Sequence, residues 1–117
     1  MAMIKKKLVV RNKQGLHARP AAVFVQIANK YESSITVRRD KEVVNGKSIM
    51  GILMLGAEKG SVIVIEADGE DAILAIAELE KIIIAESYEA FEEFKKLQNA
   101  PKWKKLMNKI FKKRRLL

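Results

Sequence analysis

Gly15-Leu16-His17-Ala18-Arg19-Pro20 reads as a loop running into a helix, and the segments on either side of it set the fold. Before it, Ile4 to Val10 is a β-branched, apolar stretch with a lysine triplet, the pattern of a first strand, which Asn12 to Gly15 breaks. After it, Ala21, Ala22, Val25 and Ala28 recur at helical spacing between Ala18 and Asn29. Pro20 falls in the first turn of that helix, where no intrahelical donor is lost. From Ser34 to Arg39, Ile35 and Val37 alternate with Thr36 and Arg38, as in a strand with one wet face. Asp40-Lys41 turns it into a short partner strand, Glu42 to Val44.

The rest of the chain completes the pattern. Asn45-Gly46 forms a turn, and Ser48 caps a short helix through Ile49, Leu53 and Met54. Val62 to Ile65, between Gly60 and Asp68-Gly69, reads as a buried strand, and Asp71 to about Ala85, with apolar Ile73, Leu74, Ala77, Ile82 and the alanines between, as a second long helix. Four strands with three helices gathered on one face, in the order βαββαβα, define an α+β open-faced sandwich with a four-stranded antiparallel sheet. Beyond it, Tyr88 to Gln98 is helical in pattern and Pro101 interrupts. Lys102 to Arg115 then sets Trp103, Leu106, Met107, Ile110 and Phe111 on one stripe among basic residues.

Charge divides the 117 residues in the same place. Residues 1–85 hold 13 Lys+Arg and 10 Asp+Glu, whereas 86–117 hold 10 and 4, with eight cations and no acid from Asn99 onward. The net +9 is therefore mainly a property of the end of the chain, giving a body at 1–85 and a basic amphipathic helical extension at 86–117. The absence of cysteine excludes disulfides, thiolate zinc sites and a cysteine nucleophile, and suits a reducing compartment. No run of about 20 apolar residues is present, so no membrane span is expected, and the expected location is the cytoplasm. No His/Asp/Glu set has metal-ligand spacing and no cofactor is expected; Glu70 and Asp71 read as helix-start charges. Gly46-Lys47-Ser48 has the ending of a phosphate-binding P-loop, but Lys41 stands where that motif requires glycine.

The single histidine gives imidazole chemistry one address. A helix start presents backbone N–H groups and partial positive charge, a seat for an anion. With His17 at the cap, a group bonded to its ring lies over the amides of Ala18 and Arg19, and the Arg19 guanidinium adds a fork for phosphoryl oxygens. A neutral imidazole attacks phosphorus without a strong base nearby. The arrangement suits phosphate carried on histidine. Without the surrounding signature a lone surface histidine is more often merely solvated or capping.

Gly15-Leu16-His17-Ala18-Arg19-Pro20-Ala21 resembles the active-site signature of the HPr family, the histidine phosphocarriers of the bacterial phosphoenolpyruvate-dependent sugar phosphotransferase system. Asn45-Gly46-Lys47-Ser48-Ile49-Met50-Gly51, Leu55-Gly56-Ala57 and Lys59-Gly60 resemble its second signature, and the likeness covers residues 3–85. It implies that His17, through Nδ1, accepts phosphate from enzyme I and passes it to the A components of sugar permeases, as a carrier rather than an enzyme with its own turnover. It implies regulatory phosphorylation of Ser48 by an HPr kinase/phosphorylase where one is present. It also implies a docking surface, for which Ala22, Phe24, Ile49, Met50 and Leu53 are the apolar candidates, with Lys47 and Arg19 at the rim. The alternatives are a relay of the nitrogen-related phosphotransferase branch, or a non-transferring adaptor. For the extension the readings are a helical hairpin packed on the body or on a second copy through Phe91, Phe94, Leu97, Trp103, Leu106 and Ile110, or a membrane-surface helix; no specific nucleic-acid binding is expected.

Overall fold

The computed structural model describes residues 3–98. Its elements are β1 (Met3–Val9), α1 (Ala18–Ala28), β2 (Ser34–Arg39), β3 (Glu42–Asn45), α2 (Ile49–Met54), β4 (Val62–Asp68), α3 (Ala72–Ile84) and α4 (Tyr88–Gln98). The strands form one antiparallel sheet in the order β1-β4-β2-β3, with Lys6 opposite Ile65 and Val37 opposite both Ile65 and Val44. This is the expected open-faced sandwich.

Strand alternation decides which face is covered. Ile35, Val37, Ile63, Ile65 and Ala67 point under the helices and are buried, while Thr36, Arg38, Val64 and Glu66 face the open side. The β2–β3 hairpin turns through Asp40 at φ 54°, a left-handed conformation that aspartate tolerates better than most side chains. β4 continues past Ile65 to Asp68 because Ala67 pairs with Ile4 and Ile35 on its two sides.

The buried face of α1 differs from expectation, and packing selects that of α3. In α1 the buried set is Pro20, Ala21, Phe24, Ile27 and Ala28, while Ala22 and Val25 are only half-buried. Phe24 is fully buried, so it belongs to the core and offers nothing to a docking partner. Small alanines occupy both faces of α1, so the apolar spacing points about one residue away from the face that is buried. In α3 the buried residues are Ala72, Ala75, Ile76, Leu79, Ile82 and Ile83; Ile73 and Leu74 are 66% and 64% exposed, and Ala77 is exposed. Apolar residues encircle this helix, so periodicity names no unique face. Ala72 and Ala75 turn inward, where small side chains allow close packing.

Side-chain bonds tie the layers together. Asp71, at the start of α3, reaches across to the α1–β2 loop, accepting from the amides of Glu32 and Ser33 at 2.9 and 3.0 Å and from the Ser33 hydroxyl. These donors hold the Asp71 carboxyl below its ordinary value, the Ser33 hydroxyl having the largest effect. Tyr31 donates to Glu78 on α3, and Lys30 pairs with the same carboxylate. Burial and the Glu78 bond together push the Tyr31 phenol up to about 12. Ala85 turns extended and ends α3, and the Ser87 hydroxyl then accepts from Ala90 N–H at 3.1 Å, starting α4. Phe91 of α4 is buried in the core cluster. The expected helix at Lys102 to Arg115, with Trp103, Leu106, Met107, Ile110 and Phe111, lies outside the described residues, as does any packing of Phe94 and Leu97 side chains.

Candidate functional site

The loop that carries His17 is fixed from both sides. Asn12 is buried, its carbonyl accepting from Gly15 N–H at 2.9 Å and its side-chain oxygen from Gln14 N–H at 3.0 Å. Gly15 sits at φ +69°, and a Cβ there would collide with the Ala57 carbonyl and lie 2.8 Å from Glu58 Cα. Only glycine lets the chain pass so close to the α2–β4 loop in that conformation. Leu16 is buried and donates to Ala57 O at 2.8 Å, clamping the backbone one residue before the histidine.

His17 is the N-cap residue of α1, with extended backbone (φ −79°, ψ −173°) and an exposed side chain that makes no capping bond. Its carbonyl accepts the first helical bond, from Ala21 N–H at 2.8 Å. The amides of Ala18 and Arg19 come ahead of that bond, at the positive end of the helix dipole. Pro20 is buried and locks the first turn. The imidazole thus projects from a rigid shelf beside an anion-favouring helix start, where the sequence places it.

Arg19 is exposed and lines a cleft of about 350 Å³ with Asn12, Lys13, Gln14, Pro20, Glu86, Ser87 and Glu89. The last three come from the chain after α3, held against the loop by Lys13 N–H donating to Glu86 O at 3.2 Å. Sequence reasoning missed these residues as neighbours of the site. More than sixty positions separate them from it, and no local pattern signals the contact.

Ser48 caps α2 as expected, its hydroxyl accepting from Gly51 N–H at 3.1 Å. The same turn is braced by Asn45, whose side chain accepts from Lys47 N–H at 2.9 Å. Of the docking candidates, Ile49 and Met50 are exposed, while Leu53 and Ala22 are half-buried. Met54, the last residue of the short helix, is 73% exposed and joins the outward set, and Ile52 is the residue that α2 buries. Lys47 is half-buried with its ammonium donating to Tyr31 O at 2.6 Å, so it is tied back to the body instead of standing at a rim. Among the described residues no three His, Asp or Glu side chains are grouped to hold a metal, and no helix is long and apolar enough to cross a membrane.

The model of the family "PTS HPr component phosphorylation site" matches residues 4–85. The chain is 44% identical over 81 residues to the phosphocarrier protein HPr of Neisseria meningitidis serogroup A, covering 69% of this chain and 91% of that one. It is also 44% identical over 77 residues to the HPr-like protein Crh of Bacillus subtilis, covering 66% and 91%. A crystal structure of HPr from Bacillus anthracis superposes with a TM-score of 0.68 at 44% identity, over 71% of this chain and 99% of that one. Fold and site together define a small α+β open sandwich built around an exposed histidine. The chain belongs to the HPr family, the phosphocarriers of the phosphotransferase system.

Proposed function

We propose that His17 accepts a phosphoryl group from phosphorylated enzyme I, which obtains it from phosphoenolpyruvate, and passes it to the A components of sugar permeases. The observation that carries this reading is the exposed imidazole at the cap of α1, beside the first-turn amides of Ala18 and Arg19. The Nδ1 lone pair attacks phosphorus while the donor's N–P bond breaks and its electron pair returns to the donor ring. The phosphoryl oxygens then lie over the helix start, with the Arg19 guanidinium beside them. Transfer onward repeats the exchange on an acceptor, so the protein is a carrier without turnover of its own.

Ile49, Met50 and Met54, with Leu53 and Ala22 at the margin, form the ground that partners bury. Phosphorylation of Ser48 by an HPr kinase/phosphorylase would place about two negative charges beside this patch, weakening docking while the α2 start tolerates the anion. The carrier unit is residues 1–85 and acts in the cytoplasm, with 86–117 as an added helical extension. Incubation with enzyme I and phosphoenolpyruvate should place acid-labile phosphate on His17, and His17→Ala should abolish labelling while folding stays cooperative, since the ring is exposed. Absence of label on His17 overturns the reading and favours a non-transferring adaptor.

A further inference from the structure

The outer face of α3 exposes apolar side chains that the described residues leave largely uncovered. Ile73, Ala77 and Ile84 fall on one line of the helix, Leu74 lies beside them, and Ile73 and Leu74 expose about two thirds of their surface. At this pitch Glu80 falls on the same line between Ala77 and Ile84, paired with Lys6, Lys81 lies between that line and Leu74, and Glu78 lies beyond Leu74, paired with Lys30. The end where α3 begins is acidic. Asp68 closes β4, Glu70 precedes the helix, and Asp71 bonds to the backbone of Glu32, whose side chain is exposed. Lys30 and Lys47 in the same region are engaged by Glu78 and by the Tyr31 carbonyl.

The chain after Gln98 has the complementary chemistry. Trp103, Leu106, Met107, Ile110 and Phe111 share a stripe, and Lys112-Lys113-Arg114-Arg115 follows directly, in a segment with eight cations and no acid. As a helix, Trp103 to Phe111 spans about 12 Å and the four cations after it about 6 Å more, against about 16 Å from Ile73 to Ile84. Phe91 anchors α4 to the body. The rest of α4 and residues 99–101 span at most about 20 Å, which leaves the tail within reach of α3.

We infer that residues 103–115 dock in cis on the outer face of α3, antiparallel to it. Ile110 and Phe111 then lie on Ile73 and Leu74, Trp103, about 11 Å back along the helix, lies past Ala77 near Glu80 and Lys81, and the terminal cations lie at the cluster of Glu32, Asp68, Glu70 and Asp71. Docking covers exposed apolar side chains and neutralises charge at both partners, which neither water nor an anionic lipid surface does for α3.

Trp103 is the only tryptophan, so its emission in the full chain reads the contact directly. Docking predicts blue-shifted emission that does not change on dilution, and a shift to the red in the double variant Ile73→Glu, Leu74→Glu. Arg114→Glu with Arg115→Glu, which leaves the body untouched, should shift it the same way, and added salt should do so in the parent. Met54→Glu, exposed on α2, should leave it unchanged. Because Ile73 and Leu74 are exposed, the double variant should keep the parent's cooperative unfolding, and the tail variant gives an independent reading. Emission already at the solvent-exposed position, turning blue only with vesicles containing anionic phospholipid, overturns the proposal in favour of a membrane surface. A blue shift lost on dilution along with a dimer overturns it in favour of a second copy. A blue shift indifferent to both variants overturns it outright.

Discussion

Gly15→Ala tests whether the histidine's position depends on the close pass between its loop and residues 57–58. The native φ of +69° costs an alanine about 1–2 kcal/mol. The added methyl also collides with the Ala57 carbonyl, the acceptor for Leu16 N–H, and losing that bond costs about 1 kcal/mol more. The sum, about 2–3 kcal/mol, should lower the melting temperature by about 10–20 °C for a domain of this size. His17 follows Leu16 directly, and a displacement of about 1 Å can slow a reaction by up to about 100-fold, so phosphoryl acceptance should fall well beyond the loss of folded protein. Gly60→Ala is the control. Gly60 has φ +90°, but a methyl added there would meet no atom within 4 Å, so it isolates the backbone penalty from the collision. Thermal unfolding by circular dichroism and rapid-mix labelling from phosphorylated enzyme I read the two effects. If Gly15→Ala melts and labels like the Gly60→Ala control, the close pass does not position the histidine.

Other consequences follow from the same contacts. Ser48→Ala removes the bond to Gly51 N–H and should cost about 1 kcal/mol in chemical denaturation, whereas Ser48→Asp should retain the cap yet bind enzyme I more weakly by titration calorimetry. Phe24→Ala should cost about 3–5 kcal/mol, while Met54→Ala should change stability by less than about 0.5 kcal/mol and weaken partner binding; a reversed order would contradict the burial of the two side chains. The Asp71 carboxyl titrates below its unfolded value of 3.8, so its contribution is complete above that value and is lost as pH falls through the lower, folded one. Asp71→Asn should therefore lower stability near neutrality and flatten the acid limb of a melting-temperature profile; an acid limb identical to the parent's would contradict this role.

Much of the site was legible because it is local. The backbone from Gly15 to Pro20 needs only a left-handed glycine, an N-cap position and a proline in the first turn to present an imidazole at a helix start. Ser48 was legible for the same reason: its cap reaches three residues along the chain. The docking surface was less so. Phe24 and Met54 are both large and apolar, and which of them faces water depends on where α1 and α2 meet the sheet. Lys47 likewise looks like a free surface cation in the sequence, yet it bonds the Tyr31 carbonyl sixteen residues away.

By itself the sequence determined the order of strands and helices, the address of the imidazole and the basicity of the chain's end, because hydrophobic period, glycine and proline placement and local charge act over a few residues. The tertiary structure decided which side of α3 is buried, that Phe24 is core, and that Glu86, Ser87 and Glu89 line a cleft with Arg19. Those outcomes depend on close packing between distant segments. An alanine can turn inward where a helix must approach its neighbour closely, and a helix apolar on every side carries no record of which face that neighbour will cover.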